Sequence, residues 1–213
     1  MSEIIKNFIN EKFTNPVGQA VNPGNIGETH EFARQLGNFF YQLHRLQTTD
    51  APKPSLDNAF AGSDLIVFEA EILELLAQYK QLVPADLLEE KFEKAAKTKW
   101  EKAPVWVLGN LAARQLLVSD GKLQAVEGTQ NAVIGDPACD LALAWILFDE
   151  KARKIFFAAA EADASTIDRA RFFALRTALK NYQSADIDEL IQSRDASTEI
   201  LKDFNYTVAQ DMY

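Results

Sequence analysis

Residues 104–145 read PVWVLGNLAARQLLVSDGKLQAVEGTQNAVIGDPACDLALAW, from Pro104 to Trp145. The spacing predicts strand, loop, strand, tight turn, strand, loop and helix. Val105 to Leu108 form a short apolar run closed by Gly109. Leu116, Leu117 and Val118 form a second, and Leu123, Ala125 and Val126 a third. Between the last two stands Ser119-Asp120-Gly121-Lys122, where Asp-Gly supplies the positive-φ residues of a two-residue hairpin turn. Gly135-Asp136-Pro137 then opens a helix, with Asp136 as N-cap and Pro137 at the first helical position.

This layout resembles the catalytic core of the aminoglycoside and macrolide phosphotransferases, antibiotic kinases with a protein-kinase-like fold. In that family the first strand ends in His-Gly-Asp, and an Asn follows a few residues later. Ile-Asp-Phe-Gly comes after the hairpin, and a GDPAxDLA helix start closes the block. Here GDPACDLA stands intact at Gly135 to Ala142, as does the LLV strand at Leu116 to Val118. The reactive positions differ. Leu108-Gly109-Asn110 replaces His-Gly-Asp, Gln115 replaces the metal-binding Asn, and the metal-binding Asp falls on Gly128. The resemblance implies a mainly α (α+β) fold: the helical C-lobe of the phosphotransferase fold with a small β-sheet. Residues 1–27 become a hinge-like strand and loop, and 28–213 the C-lobe, with a helical insert at 63–100 and the degenerate core at 104–145. On this reading the N-lobe, with its phosphate-covering loop and nucleotide lysine, is absent. Residues 1–27 contain no GxGxxG and no GxxxxGK.

Composition narrows the function. The chain of 213 residues has 47% hydrophobic residues and a net charge of −9. That is enough apolar content for a real core, and the charge argues against a phosphate-backbone binder of nucleic acid, which would need a basic patch. The one cysteine, Cys139, excludes an internal disulfide framework and fits a reducing cytoplasm. It lies in an apolar helix and reads as a buried structural thiol. No apolar run reaches the ~18 residues of a membrane span, and the start MSEIIKNF is not a signal peptide.

Outward from the core, residues 4–9 read as an edge strand and 14–27 as an Asn/Gly/Pro loop. Thr29 reads as the cap of a helix to about Gln47, with Phe32, Leu36, Phe39, Phe40 and Leu43 on one face. His44, in the Leu-His pair near the end of that helix, reads as a packing or hydrogen-bonding residue. Helices are expected over 63–80, with Ile66 inward, and over 84–100. Further helices are expected near 137–148, 150–162, 165–182, 186–193 and 196–211, with Asp149 and Ser165 as N-caps.

The substitutions bear directly on the chemistry. Phosphoryl transfer rests on positioning and charge neutralisation. Asn110 is not basic near neutral pH and cannot take the proton of an attacking hydroxyl. Magnesium needs anionic oxygens; Gly128 has no side chain and Gln115 offers one neutral oxygen. Glu127 is one residue out of register, so in a strand it points to the opposite face unless a bulge turns it. Asp136 and Asp140 match retained acids of the helix start. Asp136 is expected to cap that helix, and Asp140 to brace the Gly109-Asn110 loop by accepting backbone N–H bonds. The first expectation is therefore a pseudokinase reduced to its C-lobe, with no bound cofactor. It would act through a protein partner or self-association on the surface the N-lobe would cover. An alternative is a binder of a cationic small molecule, such as an aminoglycoside or macrolide, in a pocket between the insert and the last helices. A third is a phosphotransferase completed by another chain and using Glu127.

Overall fold

The computed structural model describes residues 3–14, 16–22, 24–49, 51–109 and 111–206. Asn110 and the end of the last expected helix lie outside them.

The chain opens with α1 (Glu3–Lys12), where the sequence reading placed a strand. The apolar residues at 4, 5, 8 and 9 are spaced for one helical face rather than for alternation. Ile5 and Phe8 are buried, and Phe8 and Phe13 lie 5.5 and 5.9 Å from the Phe39 ring of α2 (Thr29–Leu43). Thr29 is the first helical residue, not the cap. The longer side chain of Glu28 reaches the free amides instead, accepting from His30 N at 3.2 Å and Glu31 N at 2.7 Å.

Gly37 sits in the middle of α2, where glycine costs about 1 kcal/mol relative to alanine. A Cβ there would stand 2.5 Å from Phe156 O and 2.7 Å from Ala159 Cβ. Its place is set by the close approach of α2 to α7 (Glu150–Ala159).

Two small antiparallel sheets carry the central block. β1 (Gln19–Ala20), β3 (Leu116–Ser119) and β4 (Lys122–Val126) form one, in the order β1-β3-β4. β2 (Val105–Val107) pairs with β5 (Val133–Gly135) in the other. The β3–β4 turn has φ 51° at Asp120 and 71° at Gly121, the geometry the Asp-Gly pair predicted.

The helical parts depart from the sequence reading in three places. A 3₁₀ turn, Leu65–Phe68, precedes α3 (Glu69–Gln78). Its three-residue repeat buries Leu65 and Phe68 and turns Ile66 outward at 46% exposure. The helix expected over 137–148 is split into α5 (Ala138–Leu141) and α6 (Ala144–Leu147). The two helices expected after residue 186 are one, α9 (Ile187–Asp203), because DAST contains no breaker. α4 (Ala85–Ala96) and α8 (Ala164–Lys180) fall within their expected ranges, to within a residue. One hydrophobic cluster runs from Ile5 to Leu201.

Asp149 caps α7 as expected, accepting from Ala152 N at 2.8 Å. Asp163, not Ser165, caps α8. Its carboxylate accepts from Thr166 N at 2.8 Å and from the Ser165 hydroxyl at 2.9 Å. Burial pushes the Asp163 pKa up, but those bonds and the nearby Lys102 charge outweigh it and hold the pKa at about 2. A depressed carboxylate pKa stabilises the fold above its unfolded value and loses that effect as pH falls through the folded one. Asp163→Ala is expected to cost about 1 kcal/mol near pH 7. It should also flatten the loss of stability between pH 3.8 and about 2. Urea denaturation of both proteins at pH 7 and pH 3 checks this; equal losses on acidification would contradict it.

Candidate functional site

The strand–loop–helix block brings the retained acids together under the loop that follows β2. Asp140 is fully buried. Its Oδ1 accepts from Leu108 N and Gly109 N, each at 2.9 Å, and its Oδ2 accepts from Leu108 N at 3.1 Å. His44 Nε2 stands 3.4 Å from Asp140 Oδ2, and its ring stacks on Phe40 at 5.9 Å. The end of α2 and the start of α5 thus hold one backbone turn between them.

Asp136 accepts from Ala138 N at 3.0 Å, but α5 starts one residue later than expected: Pro137 holds the cap position and Ala138 is the first helical residue. Asp136 also forms an ion pair that sequence reading missed. Arg169 of α8 is fully buried and donates Nε to Asp136 Oδ2 at 2.6 Å and Nη2 to Oδ1 at 3.2 Å. The sequence signal was there: Arg169 shares a helical face with Thr166, Phe172 and Phe173, an unusual place for a charge unless it is paired. Cys139, between the two acids, is buried. Desolvation and then the Asp140 and Asp136 charges push its thiol pKa well up, so it is no nucleophile.

The two positions that the resemblance assigns to metal ligands lie against each other. Gly128 has φ +78°, and a Cβ placed on it would fall 2.0 Å from Gln115 Nε2. The other end of that amide is committed, with Oε1 accepting from Ala112 N at 2.8 Å. Glu127 N donates to Gln115 O at 2.8 Å, tying the two loops by main chain as well. The Glu127 side chain is exposed just beyond β4; the hairpin's register shift falls at Gln124, before Ala125 and Val126, and does not turn Glu127 inward. These residues do not fit a magnesium ion. Gly128 supplies no ligand, and the one oxygen of Gln115 already holds a backbone amide. Among the described residues, no group of three or more His, Cys, Asp or Glu side chains is placed to hold a metal.

A loop over 51–62 closes one side of the turn. Pro52 O accepts from Ile134 N and Gly62 O from Asp136 N, both at 2.8 Å, and Ala61 packs against Gly109. Glu71 is paired with Arg176 and Lys180 of α8, while Glu69, Glu74, Glu89, Glu90 and Glu93 are exposed. A cavity lies elsewhere, between the Ala20–Asn22 stretch, the loop before β3 and the α8–α9 corner. Sequence reading missed it, because the acids at the start of α9 look like ordinary first-turn residues. Among the described residues, no helix is long and apolar enough to cross a membrane.

No curated protein matches the chain. Solved structures do. The macrolide 2′-phosphotransferase MphH from Brachybacterium faecium aligns over 85% of this chain and 67% of its own, at 19% identity and a TM-score of 0.54. The GDP complex of aminoglycoside 2′-phosphotransferase-IIIa aligns over 89% and 70%, at 17% identity and 0.56. Macrolide 2′-phosphotransferase type I aligns over 84% and 65%, at 16% identity and 0.51. The chain spans about two thirds of the length of these structures. At such identities the likeness is one of fold: a kinase-like phosphotransferase fold, here mainly helical with small antiparallel sheets. The family model extends the match to sequence, over residues 16–173 of 213. The chain belongs to the APH phosphotransferase enzyme family.

Proposed function

We propose that this chain is a non-catalytic member of the family that acts by binding, and that it transfers no phosphate. The contact between Gln115 and Gly128 carries the reading. Where the family resemblance calls for two metal ligands, an amide nitrogen stands in the space a side chain at 128 would need. The base position is Asn110, an amide by sequence. Base and metal ligands act as a unit in phosphoryl transfer, so losing them together leaves nothing to position or neutralise the phosphate. The alternative in which another chain completes an enzyme that uses Glu127 has less support. That side chain is exposed, and its backbone amide is tied to Gln115 O.

A protein partner or second copy is supported by the loop beside Gly109, where Leu56 is 80% and Phe60 39% exposed. A cationic ligand is supported by the acid-mouthed cavity at the α8–α9 corner. The test is phosphate transfer and thermal stability with magnesium plus ATP or GTP, against a panel of aminoglycosides and macrolides. Active kinases turn over at about 1–100 per second; here no transfer above the blank is expected. Nucleotide at a hundredfold excess over a functional Kd would stabilise the fold by about 2.7 kcal/mol, and no such stabilisation is expected. Drug-dependent nucleotide turnover would overturn the reading.

A further inference from the structure

The cavity at the α8–α9 corner holds about 530 Å³, within the usual ~300–1,000 Å³ of small-molecule sites. Its floor is apolar. Val21, Ala113, Ala178 and Ala196 are buried, and Ile146 is partly so. Asn22, Thr177, Asn181, Gln192 and Ser193 add polar groups to the lining, and of these Ser193 alone is buried. Ser193 is 5% exposed, and among the described residues its hydroxyl has no hydrogen-bond partner; only its carbonyl is engaged, by Ser197. A hydroxyl so placed is both donor and acceptor toward whatever enters the cavity.

The mouth is negative. Asp188 and Asp195 line it, both exposed, and neither has an ion-pair partner among the described residues. Asp186 is occupied in capping α9, accepting from Asp188 N and Glu189 N, and Glu189 has Arg114 at 3.6 Å. Arg194, next to Asp195 in sequence, lies instead over the Tyr182 ring at 4.0 Å. One guanidinium thus faces four carboxylates over a low-dielectric floor, an arrangement that concentrates cations at the opening.

We propose that this cavity is a binding site for a small organic amine. A mainly apolar body would fill the floor, and one ammonium group would reach Asp188 and Asp195. A hydrated metal ion would make no use of the apolar floor. A polyhydroxylated cation would set part of its surface against the buried alanines and valine, where each hydroxyl left without a partner would cost about 1–3 kcal/mol. The inference rests on the reading that the chain acts by binding, and it names the ligand class for that reading.

The probes are 2-phenylethylamine and its neutral counterpart 2-phenylethanol, titrated into the full chain and followed by NMR chemical shifts. The amine is expected to bind saturably with a Kd of about 10 mM or better, the weakest value set by its few heavy atoms. The alcohol is expected to bind at least about fivefold more weakly, as is the amine to the Asp188→Asn/Asp195→Asn variant. Both acids are exposed, so that variant should keep its melting temperature. Ser193→Ala should weaken amine and alcohol alike. No saturable binding, or equal amine binding by the chain and its double variant, would overturn the site. Magnesium–nucleotide turnover measured in parallel tells the two readings apart. Turnover with amine binding intact overturns only the non-catalytic reading; absent binding without turnover overturns only this one.

Discussion

Replacing Asp136 by alanine is expected to destabilise the chain by about 3–5 kcal/mol, the usual cost of removing one partner from a buried ion pair. The pair qualifies on burial: the Arg169 side chain is fully buried and that of Asp136 is 1% exposed. The carboxylate meets the guanidinium with both oxygens and also accepts from Ala138 N, so the substitution removes that bond at the start of α5 as well. What remains around the guanidinium is neutral: the Thr98, Thr166 and Ser165 hydroxyls at 3.1, 3.3 and 3.4 Å. A domain of ordinary stability has about 5–15 kcal/mol in total, so Asp136→Ala sits near the limit of folding. Two further variants keep the prediction readable. Asp136→Asn retains an oxygen for Arg169 or for the Ala138 amide, and should cost less. Asp136→Ala with Arg169→Met removes both charges and should recover most of the loss, since an apolar pair of similar volume is often neutral to stability. Urea midpoints followed by circular dichroism give all three values. A cost for Asp136→Ala below about 1 kcal/mol, or a double variant worse than the single, would show that the pair is not what joins α8 to the central block.

How far the sequence carried depended on the range of the interaction. The β3–β4 hairpin was legible because Asp120-Gly121 settles its turn within four residues. The buried face of α2 was legible because Phe32, Leu36, Phe39, Phe40 and Leu43 repeat at helical spacing. Errors arose where a local pattern admitted two answers. Four apolar residues near the start were read as an extended run, though their spacing suits a helix that packs on Phe39. The break expected near residue 194 had only polar composition behind it, and Ser197 bonds back to the Ser193 carbonyl inside a continuous helix. Long-range pairings left little local trace. Arg169 finds Asp136 across 33 residues, and Asp140 finds Leu108 across 32. The first showed only as a charge on an apolar face; the second was expected only through the family resemblance. The contact of Gln115 with Gly128 left no trace at all, since it depends on how the loop before β3 and the loop after β4 are folded together.

That contact sets the second large effect. Gly128→Asp restores, on paper, the carboxylate that the family resemblance places there, and it is expected to cost about 2–3 kcal/mol. Part is backbone. A non-glycine residue in the left-handed region costs about 1–2 kcal/mol, and Gly128 has φ +78°. The rest is displacement. The new Cβ would overlap the Gln115 amide nitrogen, which can swing away only by giving up the bond from Ala112 N to Oε1, worth about 1 kcal/mol. Gln115→Asn on its own shortens the side chain and loses the same bond, so it should also destabilise the chain, by about 1 kcal/mol. Combined, the two changes should cost less than their sum, because the shorter amide no longer occupies the space that a carboxylate at position 128 needs. The cycle therefore has a sign as well as a size, and thermal or urea denaturation of the four proteins reads both. Simple additivity would mean that the amide yields freely and that the space at Gly128 is open. Positive coupling would mean that the socket is closed by its own side chain, so that a carboxylate returned alone has nowhere to stand. The magnesium response separates the same two cases by a different observable. With the socket closed, Gly128→Asp gains no stability from added magnesium. With it open, that variant and the double variant respond alike.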